Sequence, residues 1–443
     1  MKNYCVLINF CVELRFLHLQ ILCSFLFICY TLQDKKPTQT ARDIIRAGKF
    51  SAQAVSKGSD KREVILRVAF HRVVDEHKTN NFDFIRLLAA SMVVFSHSFY
   101  LLATPRRPLN ESEPLTFLTG GQMTFGNLGV WIFFAISGYL ITQSLLRSSS
   151  YATYFTKRSL RIFPALIVDI VIAAFIWGPI VTTLSLAEYF SSYGTYRYLL
   201  NVNLYRIVYE LPGVFAGNPL PDFVNGSLWT LPFEFTCYIG VVLLHFLFIL
   251  RNRHVYAAFY FLGLIAWAII CQTKYFTFTI PILNLPVQYF TLSIYFGTGA
   301  LFFLFRDKIP LRFSWSIVVL AIWCAGFYLN MGVAFSYFCL PYIIFWFVYE
   351  PKIRLHGIAR LGDFSYGLYI YSWTVQQTII HFLGAQIPWL LMCVLSFLFT
   401  VPLAMFSWFA IEKKALRIKE RLFKKEAIQK PEIFVEQTEM LKS

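Results

Sequence analysis

Ten apolar blocks, each about 17–25 residues long, follow one another between residues 82 and 411. They run roughly over 82–103, 123–146, 162–183, 227–250, 255–272, 286–305, 313–330, 333–349, 364–383 and 387–411. In hydrocarbon every backbone polar group needs an internal partner, so blocks of this length read as membrane helices. A chain that is 57% hydrophobic and only 14% charged has little else to build with. The expected fold is all-α: a polytopic membrane bundle of about ten helices over 81–412, preceded by an extension (1–80) and followed by a basic tail (413–443).

A net charge of +16 invites a nucleic-acid reading, but the cations are distributed as membrane topology requires. Arg147, Lys157, Arg158, Arg161, Arg251, Arg253, Arg306, Lys308, Arg312, Lys352, Arg354 and Arg360 fall in alternate connections. The intervening connections hold only Arg106, Arg107, Arg197, Arg206 and Lys274, so the count is twelve against five. The richer side is expected to be cytoplasmic, with both termini of the ten-helix unit on it, in the cell inner membrane. No nucleic-acid partner is expected. The nine cysteines show no metal-ligand spacing, and neither a disulfide framework nor a metal is expected.

Residues 1–80 read as an appended segment. The stretch Val6 to Leu32 carries Glu13, Arg15 and His18, which makes it a poor span. An eleventh helix, an interfacial helix and a mistaken start site all stay open for it. Glu63–Val74 has the pattern of a short amphipathic helix. The longest outer connection, Leu184 to Gly226, is rich in Tyr and Asn. Rings with polar tips suit either a sugar face or the membrane interface, and a connection that long suits a lid or a ligand site.

Arg86 and His97 interrupt the first block. Eleven positions turn a helix by about three turns plus ~20° and rise ~16 Å, so both side chains share one face. An Arg near the middle of a bilayer costs about 2.5–3.5 kcal/mol unless it faces protein or a wet cavity, so the pair implies an internal polar track. Asp83, three positions before Arg86, is placed to pair with it. A guanidinium grips phosphate or carboxylate in two-pronged fashion, and an imidazole with an ordinary pKa near ~6.5 suits a base acting on a hydroxyl. Interhelical packing glue is the alternative for both residues.

Three further stretches carry polar groups. Phe133 to Thr142 contains Ser137 and Gly138, small enough for close helix approach or for a thin substrate. Lys157, Arg158 and Arg161, followed by Pro164 near an expected helix start, could cradle a nucleotide's phosphates or simply mark topology. Ser227 to Glu234 includes Trp229 and ends on an acid about two turns into an apolar helix. Glu234 must be protonated or paired, and Arg86 or His97 is its natural partner.

Taken together and in this order, these motifs resemble those of the acyltransferase-3 family of integral membrane acyltransferases over about residues 80–415. Arg86 and His97 match an Arg-x10-His spacing, Phe133 to Thr142 an FFxxSGxxxT pattern, and Arg158, Arg161 and Pro164 a basic RxxRIxP-like stretch. Ser227 to Glu234 matches SLWxLxxE, and Gly362 to Tyr369 looks like an SYGxY motif. Where that pattern often continues with His and Pro this chain has Ser372 and Thr374, and Glu412-Lys413-Lys414 stands where Glu-Lys-Pro is usual.

The resemblance implies O-acylation of cell-surface saccharides, such as lipopolysaccharide or exopolysaccharide. The donor would be acyl-CoA, with acetyl-CoA expected, and the acceptor a saccharide or lipid-linked saccharide. On this reading His97, Arg86 and Glu234 are catalytic, Lys157, Arg158 and Arg161 bind the donor, and Asp83, Ser137, Trp229 and Tyr366 meet substrate. Some members carry a fused extracytoplasmic SGNH-type domain; none is expected in this chain, which would act alone or with a separate partner. The rival reading is a transporter or flippase using Arg86, His97 and Glu234 as a proton relay, although the internal repeat typical of transporters is missing. A non-catalytic assembly subunit is a third.

Overall fold

A computed structural model describes residues 80–103, 113–272, 288–353, 355 and 362–418. The expectations for residues 1–79, among them the stretch Val6 to Leu32 and the segment Glu63–Val74, lie outside the described residues, as does the tail after residue 418. Among the described residues the chain is helical and forms no β-strand.

Ten long helices stand close to the ten apolar blocks: α1 (Phe82–Tyr100), α2 (Phe125–Leu146), α3 (Tyr151–Ile172), α4 (Leu231–Phe246), α5 (Arg253–Gln272), α6 (Gln288–Leu304), α7 (Phe313–Tyr328), α8 (Gly332–Tyr349), α9 (Ser365–Leu383) and α10 (Trp389–Ser407). A π-helical stretch, Ala173–Trp177, and the turn Gly178–Val181 prolong α3, while a second π-helical stretch, Trp408–Glu412, prolongs α10. A 3-10 turn, Gly226–Thr230, leads into α4. Six segments are long and apolar enough to cross a membrane: α1, α2, prolonged α3, α4 with its leading turn, α8 and prolonged α10. The apolar part of α6 and the whole of α7 are shorter, and α9 is laced with buried polar side chains, so a count of ten crossings is an expectation that length and composition support only in part.

One boundary differs in a way that matters. The third block was expected to begin at 162, with Lys157 to Pro164 before or at the helix start; instead α3 begins at Tyr151 and Pro164 lies inside it. Ser150 caps the helix by accepting from the Thr153 amide, and the two turns that follow are amphipathic rather than apolar, so a search for greasy residues starts too late. The three cations are therefore helical and lie on one side of α3, within about 100° of one another.

Small residues set the packing around α2. A Cβ on Gly138 would stand 1.8 Å from the Phe296 carbonyl oxygen, and one on Gly299 would stand 2.0 Å from that of Ala135, so the α2 and α6 backbones touch. Trp131 stacks on Tyr295 and Tyr139 meets Phe303, which makes the two helices parallel. Phe82 and Tyr349 also meet Tyr139, so the start of α1, the later part of α2 and the ends of α6 and α8 share one face of the bundle. At the opposite face Phe95 meets Phe125 and Phe99 stacks on Trp389. Apolar side chains are left outward: Ile167, Val171 and Phe175 along α3, and Leu391, Val394 and Leu398 along α10. These i, i+3/i+4 stripes are lipid-facing, and the chain is a multi-pass membrane protein.

Candidate active site

The first face gathers an ionic cluster from three helices and the connection before α9. Arg86 donates to Asp83 at 2.9 Å, as its spacing predicted, and to Asp363 at 3.2 Å, just before α9. Asp363 also accepts from Arg161 of α3 at 2.7 Å, and Arg161 lies 3.8 Å from Glu412 at the end of prolonged α10. Burial alone would push the Asp363 carboxyl up, but Arg161 and Arg86, with a hydrogen bond from Ser365, hold it below the usual carboxylate value. Gly362 makes this possible: its φ of 98° is one that side-chain-bearing residues rarely adopt, and a Cβ there would strike Trp408 Nε1 at 2.1 Å. The Tyr366 ring lies 5.9 Å from the Arg161 guanidinium, and its hydroxyl donates to the Ile162 carbonyl.

Glu234 meets neither expected partner. Its Oε1 accepts from Tyr238 at 2.5 Å, one turn along α4, and from Ser137 of α2 at 3.3 Å, and it feels the charge of Arg158. Ser137 lies two residues from Tyr139, which packs on Phe82, so this group sits toward the Arg86 end of α1 and not beside His97. The expected pairing of Glu234 with Arg86 or His97 is therefore replaced by hydrogen bonds from Tyr238 and Ser137. Ser137 and Gly138 divide the work of their motif: the hydroxyl bonds Glu234 while the glycine admits α6.

The three donor-side cations do not form one open cradle. Lys157 is buried, Arg161 is taken up by carboxylates, and Arg158 donates to the Ser144 hydroxyl at 3.1 Å. Trp229 packs edge-on against Phe233, and its neighbour Thr230 bonds the Tyr369 hydroxyl at 2.7 Å.

His97 lies toward the opposite face. Its ring stands edge-on to Trp373 of α9 at 4.7 Å, and its Nδ1 is buried with no hydrogen-bond partner among the described residues. Arg86 faces the start of α9 and His97 faces Trp373 ten residues on, so both turn toward α9, as one helical face demands.

The long connection closes over this half of α9. Asn218 donates to the Gln377 backbone and side-chain oxygens at 2.8 Å, Trp373 and Thr374 donate to the Phe223 and Val224 carbonyls, and Asn225 donates to the Ile370 carbonyl and to Asp169 of α3. Its aromatics serve two ends. Tyr189 and Tyr198 are wholly buried, whereas Tyr193 and Tyr205 are exposed. Asp169, Asn225 and Trp373 escaped the sequence reading, and Asp363 was read only as part of the Gly362 to Tyr369 motif, with no role. Each is a lone residue whose partner lies on another helix; only the Glu234/Tyr238 spacing of four could have been read locally.

The acyltransferase-3 family profile, described as an acyltransferase domain, matches residues 79–409. An O-acetyl transferase of Shigella phage Sf6 is 32% identical over 359 residues, covering 77% of this chain and 97% of the phage protein. Nodulation protein 10 of Rhizobium leguminosarum bv. viciae is 31% identical over 372 residues, covering 79% and 97%. No solved structure matches.

Proposed function

The chain belongs to the acyltransferase-3 family and is a membrane O-acetyltransferase, and on that premise we propose that it moves an acetyl group from cytosolic acetyl-CoA to a hydroxyl of a cell-surface saccharide. The observation that carries this reading is the disposition of α1: one face presents a guanidinium cluster at one end of the bundle and a buried imidazole toward the other. The basic end would be the cytoplasmic mouth in the inner membrane. There Arg158, which answers to a hydroxyl rather than a carboxylate, is the cation best placed for the donor's phosphates, with Lys157 beside it. Arg161 joins only by exchanging Asp363 or Glu412 for the ligand. Arg86, about 16 Å short of His97 along α1, lines the cytoplasmic mouth and steadies the anionic part of the donor while its thioester end reaches on toward His97. Asp83 and Tyr366 hold those guanidiniums, and Glu234, presented by Ser137 and Tyr238, lines the same end.

His97 takes the proton of the acceptor hydroxyl as the oxygen attacks the acyl carbon, and the carbon–sulfur bond breaks to release the thiolate. Trp373 braces the ring, and the connection over 184–226, with Trp229 at its end, borders the acceptor entry. Any extracytoplasmic partner would meet this face. Solubilised membranes with their endogenous acceptors and radiolabelled acetyl-CoA test the reading. His97→Ala is expected to lower alkali-labile incorporation by about 100-fold or more, the range for loss of a general base. Undiminished transfer in that variant rejects the assignment. Complete absence of transfer by the unaltered protein would instead favour transport.

A further inference from the structure

Three buried polar groups outside the site just described lie in file along α3, α9 and α10. Tyr371 of α9 hydrogen-bonds the Ser407 hydroxyl of α10 at 2.9 Å, and Ser407 donates onward to Glu412 Oε1 at 3.3 Å. Glu412 in turn lies against Arg161, whose cluster reaches solvent at Asp83, itself 37% exposed. In the other direction Tyr371 lines a small cleft with Trp177, Thr374, Leu403 and Asp169, which has room for about one water molecule. Asp169 is 4% exposed and forms no ion pair among the described residues; Asn225 of the outer connection donates to it at 3.0 Å. The π-helical stretch of α3 begins four residues after Asp169 and forms one wall of the cleft through Ala173 and Trp177.

A purely structural network would satisfy all of its members. This one does not: among the described residues the buried hydroxyl of Tyr198, within electrostatic reach of Asp169, has no hydrogen-bond partner, and Glu412 Oε2 has none beyond the Arg161 guanidinium at 3.8 Å. Tyr371 is within such reach of both carboxylates. The file runs from the level of Asp363 to that of Tyr371, eight residues and about 12 Å along α9, and it ends under the outer connection.

Acyl transfer between the two faces creates a proton imbalance. The acceptor O–H bond breaks at the outer mouth while an O–C bond forms there. The C–S bond of the same acyl carbon breaks with its electron pair left on sulfur, and the thiolate withdraws with the coenzyme and takes up one proton at the inner mouth. Each turnover thus releases a proton outside and consumes one inside. We propose that Asp169, Tyr371, Ser407 and Glu412 form a proton relay that carries one proton inward per turnover and keeps transfer electroneutral. This rests on the reading that donor and acceptor stand on opposite faces. The relay lies on a different side of α9 from His97: Tyr371 and Thr374 are rotated by about 160° and 100° from Trp373.

Sealed inside-out vesicles carrying the protein and its endogenous acceptors, given radiolabelled acetyl-CoA, separate the two mouths. Tyr371→Phe and Asp169→Asn are each expected to slow incorporation about fivefold or more in sealed vesicles, and a protonophore or detergent to restore it to within about twofold of the unaltered protein. The restoration also shows that the variants are folded. Variants that match the unaltered protein in sealed vesicles overturn the relay. So does a loss that neither protonophore nor detergent repairs, because that marks a structural role. If the unaltered protein incorporates no label in vesicles or in detergent, the cytosolic-donor reading fails and takes the relay with it.

Discussion

Asp363 shows how one carboxylate decides what two arginines can do. Arg86 and Arg161 converge on it from different helices, so neither guanidinium is poised to meet an anionic donor without first giving up part of its hold. Removing one partner from a buried ion pair usually costs about 3–5 kcal/mol, and here Asp83 and Glu412 would absorb some of the loss. Asp363→Asn should therefore lower the midpoint of thermal unfolding in detergent by several degrees and change KM for acetyl-CoA more than kcat, while Asp363→Glu recovers part of both. The sign of the pH effect follows from the same geometry. A carboxyl held below its ordinary value in the folded state contributes stability that is complete above the unfolded-state pKa, near ~3.9, and is lost as pH falls through the lower folded value. Melting curves should be insensitive to this group between pH 5 and 7 and fall in stronger acid, and Asp363→Asn should flatten that acid limb. Ser137 offers the complementary case. Ser137→Ala removes one long donor from Glu234 and leaves Tyr238 bonded to it, so transfer should drop with little change in stability.

At the scale of the helix, what was legible in the chain was whatever repeats along one element. The apolar blocks, the i, i+3 pair Asp83/Arg86 and the shared face of Arg86 and His97 are all consequences of helical period, and each stands in the structure. Whatever depends on a contact between distant elements was not legible. The first turns of α3 were missed because their face toward the ionic cluster is charged, and Glu234 was assigned the wrong partners because nothing local says which helix faces it. The small residues of α2 left packing and chemistry open, and contact with α6 settles the glycine. Gly138→Ala would push a methyl group onto the Phe296 carbonyl, which no flexible side chain can yield to, so α2 and α6 must separate. Overpacking of this kind costs about 1–3 kcal/mol or more, and loss of folded protein on size-exclusion in mild detergent is the expected result. A Gly138→Ala variant that elutes and melts as the parent does would show that the two helices are not in contact in the bilayer.

Over the whole molecule the two ends of the bundle differ in chemistry, and that difference predicts which way it sits. The Arg86–Asp363–Arg161–Glu412 cluster and the Arg253–Asp307 pair, at 3.0 Å between the start of α5 and the connection after α6, belong to one face, because Tyr139 and Phe303 join the helices that carry them. The other face holds the connection docked on α9, with Tyr193 and Tyr205 exposed on it. Positive residues resist translocation, so the first face should remain in the cytoplasm. Single cysteines placed at Asp307 and at Tyr205, compared with the parent's own thiols as background, distinguish the faces in spheroplasts. An impermeant maleimide should label Tyr205→Cys at once and Asp307→Cys only after the membrane is opened. The reverse pattern would place the arginine cluster outside, beyond the reach of a cytosolic thioester. The path from donor to acceptor, and the direction of any proton carried past Tyr371, would then have to be inverted together, since both follow from which end of α9 meets the cell interior.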